Sequence, residues 1–200
     1  MVWSCINSFF GKLSLLLHDD ECFPHFQRFV LSTMAELVEV VGWTPKDGEH
    51  HVRGLLRMLA ISRAGQFGHE AVVAEAKRRF KAHASGEAAI EADLRAPVYR
   101  VVAAHGGDEA FSQLVSLYEA SDLHEEKDRI GRAMGSAKDP AVLEKVLAFA
   151  VSESVRAQDS PFILISVSAN PAGRELAWKF FQDNYAMLGK DSIVTAFWQP

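Results

Sequence analysis

Two histidine–glutamate pairs come nearest to catalytic chemistry in this chain: His69-Glu70 and His124-Glu125. On a helix, a second histidine four residues beyond the first would share its face. Two imidazoles would then reach one divalent metal, and the glutamate could act as general base on a metal-bound water. The required position holds Val73 in one pair and Asp128 in the other, so neither completes the motif. His50-His51 is the one adjacent histidine pair. Side chains at i and i+1 of a helix diverge by about 100°, so these read as surface or helix-start histidines, not chelators. His105 stands on an apolar face before Gly106 and reads as a core or helix-end residue.

Other catalytic patterns are equally incomplete. No serine lies in G-x-S-x-G. Gly106-Gly107 and Gly131/Gly135 do not follow strands, so they make no phosphate cradle. Lys77-Arg78-Arg79-Phe80-Lys81 closes a segment whose early half carries Glu70 and Glu75. That order complements a helix macrodipole, which is a sufficient reason for the basic run. A net charge of −5 gives no electrostatic case for nucleic acid.

The elements that would position these residues are helices. Phe26, Phe29, Val30, Thr33, Met34, Leu37 and Val41 recur at three and four, and Gly42 ends the stripe. Val52, Leu55, Leu56 and Leu59 predict a second helix with Gly65 just past it, and Val72, Ala76 and Phe80 a third. Val98, Val101, Val102 and His105 predict a fourth. Phe111, Leu114, Val115 and Tyr118 predict a fifth, and Val142 to Ala150 a broad sixth face. Asp139-Pro140 and Asn170-Pro171 read as N-caps followed by proline at N1, and Asp108 as the cap of the fifth helix. Phe162–Val167 could be a short strand, but Ser160-Pro161 opening a helix suits the neighbourhood better. Trp178, Phe180, Phe181 and Tyr185 sit at helical spacing and are expected in the core.

Helix pairs of about 35 residues approach the period of helical-repeat solenoids. The expected fold is all-α: stacked antiparallel helix pairs in a HEAT- or armadillo-like superhelical solenoid. With 48% apolar and 24% charged residues, 200 residues suit one such domain, 1–200. Cys5 and Cys22 are expected as reduced, half-buried thiols on neighbouring helices of a cytosolic protein. The apolar stretch Leu13–Leu17 is far below the ~20 residues of a membrane span. Lys12 and the lack of a basic n-region argue against a signal peptide. The expected location is the cytoplasm. Apolar residues mark both ends: Trp3, Ile6, Phe9, Phe10 and Leu13 at the first, Ile193, Val194, Phe197 and Trp198 at the last. Uncovered ends of a repeat array predict self-association, or binding of the missing part of the domain, through these ends.

Four short stretches occur in a telling order. They are Asp93-Leu94-Arg95-Ala96-Pro97-Val98, Glu125-Glu126-Lys127-Asp128-Arg129-Ile130, Val155-Arg156-Ala157-Gln158-Asp159, and Asn170-Pro171 through Ala177-Trp178 to Phe180. Together they resemble the C-terminal helical domain of the M1 (gluzincin) zinc aminopeptidases, over about Val2 to Ser192. The branch that looks nearest is the puromycin-sensitive one. The resemblance implies a non-catalytic domain that walls the substrate chamber and supports peptide binding by a catalytic domain, in cis or in trans. Zinc would belong only to that separate domain. The G-x-M-E-N exopeptidase motif, which grips a free amine in the family, is absent here, so no peptidase activity is expected of this chain alone. The resemblance also puts Asp93 and Asp159 at helix caps. Arg95 and Arg156 would tie repeats together or line the concave wall as substrate-binding candidates. Ser136 stands where endoplasmic-reticulum relatives carry a carboxylate-gripping arginine, which favours the cytosolic branch. The alternative is a stand-alone helical-repeat interaction module with no peptidase activity. Membrane and nucleic acid are not expected partners.

Overall fold

A computed structural model describes residues 2–185 and 188, and every regular element among them is helical. In chain order these are α1 (Val2–Leu16), α2 (Phe23–Val41), α3 (His51–Gln66), α4 (Glu70–Ala84), α5 (Ala92–His105), α6 (Gly107–Ala120), α7 (His124–Met134), α8 (Pro140–Ala150), α9 (Ser160–Ser168) and α10 (Arg174–Asp183). A single 3-10 turn, Pro171–Gly173, precedes α10. The chain divides into two compact units between Val102 and Ala103.

In the first unit α2 packs along α3, and both α1 and α4 touch α3. The predicted stripe of α2 is buried at Val30, Met34, Leu37 and Val41, and Gly42 ends the helix at φ 65°. That dihedral lies in the left-handed region where a side chain would be strained. The predicted stripe of α3 is out of phase. Val52 and Leu55 are exposed, and the buried face is Arg57, Ala60, Ile61, Ala64 and Gly65. Small residues win there because α3 approaches α5 closely: a Cβ on Gly65 would meet Val101 Cγ2 at 2.2 Å. Gly65 therefore lies inside the helix, not past it. The Leu94-Arg95-Ala96-Pro97-Val98-Tyr99 stretch forms the start of α5. Leu94, Val98 and Tyr99 are fully buried there, and the Tyr99 hydroxyl meets His83 Nε2 at 3.0 Å.

In the second unit, α6 packs on α7 and α8, α7 and α8 both pack on α9, and α10 packs on α8 and α9. Sequence neighbours pair, and next-but-one helices lie side by side, as in stacked helical repeats. Phe162–Val167 belongs to α9, so the helical reading of that run holds. Close approach again depends on glycine. A Cβ on Gly135 would meet Ser166 Oγ at 2.2 Å, and one on Gly173 would meet the Val167 carbonyl at 2.5 Å.

The predicted caps divide. Asp139 Oδ1 accepts from the Ala141 amide at 2.9 Å, and Asn170 Oδ1 from the Ala172 amide at 3.1 Å. Asp108 does not cap. It lies in the first turn of α6, and its carboxylate receives Lys145 Nζ at 2.6 Å. Asp93 also lies inside a first turn, where negative charge still favours the helix dipole. The aromatic expectation for α10 fails: Trp178 and Tyr185 are exposed, and Phe180 and Phe181 are half-buried. Only Ala177 of that helix is buried. Cys5 lies in α1, Cys22 directly before α2, and both are free and exposed instead of half-buried. Ile193, Val194, Phe197 and Trp198 lie outside the described residues.

Candidate functional site

Both histidine–glutamate pairs fall at helix starts. His69 is the N-cap of α4, where its Nδ1 accepts from the Val72 amide at 3.4 Å. His124 is the first residue of α7. A two-histidine metal site needs both imidazoles on one helix face, one turn apart. At a helix start the ring is instead directed to backbone or loop groups. Asp128 is engaged as well, since its carboxylate receives Arg132 Nε at 2.8 Å. The donor set therefore does not fit a zinc ion, and among the described residues no three His, Cys, Asp or Glu side chains cluster. His50 has the expected helix-start role: it caps α3, with Nδ1 accepting from Val52 at 3.3 Å. His105 is the last residue of α5, as its helix-end reading has it.

Arg95 and Arg156 are placed in different units. Arg95 is half-buried in the first turn of α5 and donates through Nε to the Ile90 carbonyl at 3.2 Å. Arg156 lies in the loop between α8 and α9 and is exposed. Its Nε stands 3.3 Å from Asp159 Oδ2, and its Nη2 contacts His124 Nδ1. Asp159 Oδ2 is 3.6 Å from the same imidazole nitrogen. The resulting cluster links the loop before α9 to the start of α7. Asp159 occupies the N-cap position of α9, yet its side chain makes no capping bond, because it is buried against Arg156 and His124. The family-derived cap is thereby replaced by an ion pair. Ser136 lies in the turn after α7 and is half-buried, with its amide bonded to the Ala133 carbonyl at 2.9 Å.

The densest polar centre of the first unit was hidden in the stripe reading. Arg57 is only 3% exposed. It donates to the Gly42 carbonyl at 3.0 Å, to Val41 at 3.0 Å and to Glu49 Oε2 at 2.7 Å. These bonds satisfy carbonyls that the end of α2 leaves without helical donors. The Arg57 hydrogen bond also holds the Glu49 carboxyl below its usual range. Glu49 precedes α3 while Arg57 lies inside it, so helical periodicity has no handle on the pair. Beside it, Lys46, Asp47, Gly48, His50 and Arg53 line an open depression of about 520 Å³. The basic run of α4 is likewise structural. Glu75 receives Arg78 and Arg79, each at 2.7 Å, and Arg79 lies 4.9 Å over the Trp43 ring.

These arginines bind carbonyls, carboxylates and rings of their own unit. Within each unit they tie helices together, and among the described residues no group of three His, Cys, Asp or Glu that could hold a metal accompanies them. Comparison with known proteins points the same way. Residues 1–196 match the family described as the ERAP1-like C-terminal domain. Aminopeptidase M1 of Arabidopsis thaliana is 32% identical over 86% of this chain and 20% of its own length. Aminopeptidase M1-A of Oryza sativa subsp. japonica is 31% identical over 80% of the chain and 18% of its length. The puromycin-sensitive aminopeptidase of Caenorhabditis elegans is 23% identical over 90% and 19%. The chain thus spans about a fifth of the length of these relatives.

Proposed function

Because this chain belongs to the ERAP1-like C-terminal domain family, we propose that it serves as the non-catalytic helical domain of an M1-type zinc aminopeptidase. In this reading residues 1–200 act as one repeat domain beside a separate catalytic domain, which carries the zinc. The helical domain walls the peptide chamber, in cis or in trans. The observation that carries the proposal is the match of residues 1–196 to this domain family, supported by relatives that are aminopeptidases. Arg95 and Arg156 remain the candidates for chamber-facing groups. Arg156 is the better placed of the two, since it is exposed.

No helix among the described residues is long and apolar enough to cross a bilayer. A cytoplasmic site of action is part of the proposal. The test is reconstitution. The purified chain is assayed alone for release of an N-terminal residue and for bound zinc, then mixed with the catalytic portion of an M1 aminopeptidase. The expected result is no turnover and no stoichiometric zinc alone, with co-purification and faster peptide turnover in the mixture. Turnover by the chain alone, blocked by a chelator, would overturn the reading. A chain that ignores the catalytic portion would favour the stand-alone interaction module. The exposed Trp178, stacked on the half-buried Phe181 at 5.9 Å between ring centroids, supports that second reading.

A further inference from the structure

Tyr118, near the end of α6, is only 1% exposed. Its ring meets Phe149 edge-on at 5.2 Å, and Lys127 Nζ stands 5.2 Å from the ring centroid. No described residue hydrogen-bonds its hydroxyl. Buried hydroxyls in folded chains are normally bonded, and one left without a partner is destabilising. The charged groups that act on this hydroxyl are Asp159, Arg156 and Asp128. It therefore lies beside the cluster that links the loop before α9 to the start of α7. Burial, followed by Asp159, pushes the phenol up and keeps it a donor. Two cations beside it have donors to spare. Arg156 engages Asp159 through Nε and His124 through Nη2, while its Nη1 bonds no described residue. Lys127 Nζ makes neither a hydrogen bond nor an ion pair with a described residue. The carboxylates on either side of Lys127 are already engaged, Asp128 by Arg132 and Glu126 by Arg129.

We propose that Tyr118, Arg156 and Lys127 form a binding site for a single carboxylate. Each of the three has an unused donor, so the ligand must supply acceptors. Charge narrows the class. Asp159 offsets Arg156 and leaves the positive charge of Lys127, which matches a monoanion better than a phosphate dianion. One carboxylate oxygen can take the guanidinium in a charge-assisted bond, and the other the phenol O–H and the ammonium. His124 and Asp159 fix two of the guanidinium nitrogens and leave Nη1 for the ligand. Ser136, to which the family resemblance points, follows the other end of α7, so this is a separate position. A peptide C-terminus and a free organic acid share the chemistry required. The peptide source deepens the chamber-facing role proposed for Arg156 and rests on it; the site itself does not.

Chemical-shift titration of the full chain reads binding directly. The probes are acetate, succinate, and an N-acetylated alanine tripeptide with either a free or an amidated C-terminus. The free acid should bind at least about tenfold more tightly than the amide. Tyr118→Phe should weaken carboxylate binding about fivefold or more. It should not lower the urea midpoint, because the hydroxyl makes no bond in the free chain. Arg156→Gln and Lys127→Gln should weaken binding by a similar factor. Lys179→Gln, which removes the same charge from the exposed side of α10, should leave it unchanged. No catalytic portion is present, so failure here is distinct from failure of the reconstitution. Response to the peptide acid alone assigns the site to a peptide terminus, and response to acetate or succinate assigns it to free organic acids; both support the site. Equal binding of acid and amide would overturn it. So would the absence of any response, full affinity in Tyr118→Phe, or an equal loss with Lys179→Gln.

Discussion

Helices α1 and α9 are both strongly apolar, and they end up in opposite environments. α1 has fifteen residues and one buried side chain, Phe10. α9 has nine residues and five buried ones: Ser160, Pro161, Ile163, Leu164 and Val167. The difference lies in the neighbours. Within its unit α9 is enclosed by α7, α8 and α10, whereas α1 leans on α3 and the aromatic side chains of α2. Apolar composition sets how much surface a helix could bury. The number of helices packed around it sets how much it does bury.

The largest expected effect tests that contrast directly. Leu164→Ala should cost about 2–5 kcal/mol, as truncation of a buried leucine does. Phe9→Ala should fall within about 0.5 kcal/mol of the parent. Urea denaturation of both variants provides the comparison. Equal losses would mean that α1 is as enclosed as α9.

Removing Arg57 comes next. Arg57→Ala strands Glu49 and the carbonyls at the end of α2, and loss of one partner of a buried pair costs about 3 kcal/mol. An equal loss with Arg57→Met, which keeps an apolar stem, would show that the charge, more than the stem, causes the penalty. Gly135→Ala is expected to cost about 1–3 kcal/mol, because its methyl would enter the Ser166 backbone, 2.6 Å away, in a packed interior. Native-state hydrogen exchange should show protection lost first in α7 and α9.

Anchoring of α1 gives a smaller, local signal. Asn7→Ala removes the acceptor of Arg63 Nε and should cost about 1 kcal/mol. Faster exchange should be confined to α1. The smallest effect is electrostatic. The Arg78 and Arg79 guanidiniums hold the Glu75 carboxyl down to about 2. A lowered carboxyl contributes stability above its unfolded value, and that contribution is lost as pH falls toward 2. The pair is surface-facing, so its worth is at most about 1 kcal/mol. Glu75→Gln should flatten the acid limb of a thermal-stability profile by lowering the neutral plateau by at most that amount, leaving stability near pH 2 unchanged.

Much of the helical framework was legible from residue order. Gly42, Asp139-Pro140 and Asn170-Pro171 stand where the structure starts or stops helices, because caps and left-handed turns are local events. The stripe of α3 was not legible. Leucines at Val52, Leu55, Leu56 and Leu59 spacing suggest one face, but Gly65 against Val101 requires a small-residue face toward α5. Arg57 was missed for the same reason: its carbonyl partners end a different helix. Asp108 was read as a cap from its position and Asp159 from the family resemblance; distant Lys145 claimed the first and neighbouring Arg156 the second.

Sequence alone determined the helical class, most helix boundaries, the order of motifs that marks the family, and the failure of both histidine–glutamate pairs to complete a zinc motif. Each depends on residues close together in the chain, or on identity at a fixed spacing. Tertiary structure decided which apolar faces are covered, which carboxylates cap and which pair, and where helices approach closely enough to require glycine. Those outcomes depend on contacts between residues far apart in sequence, whose geometry no local period encodes.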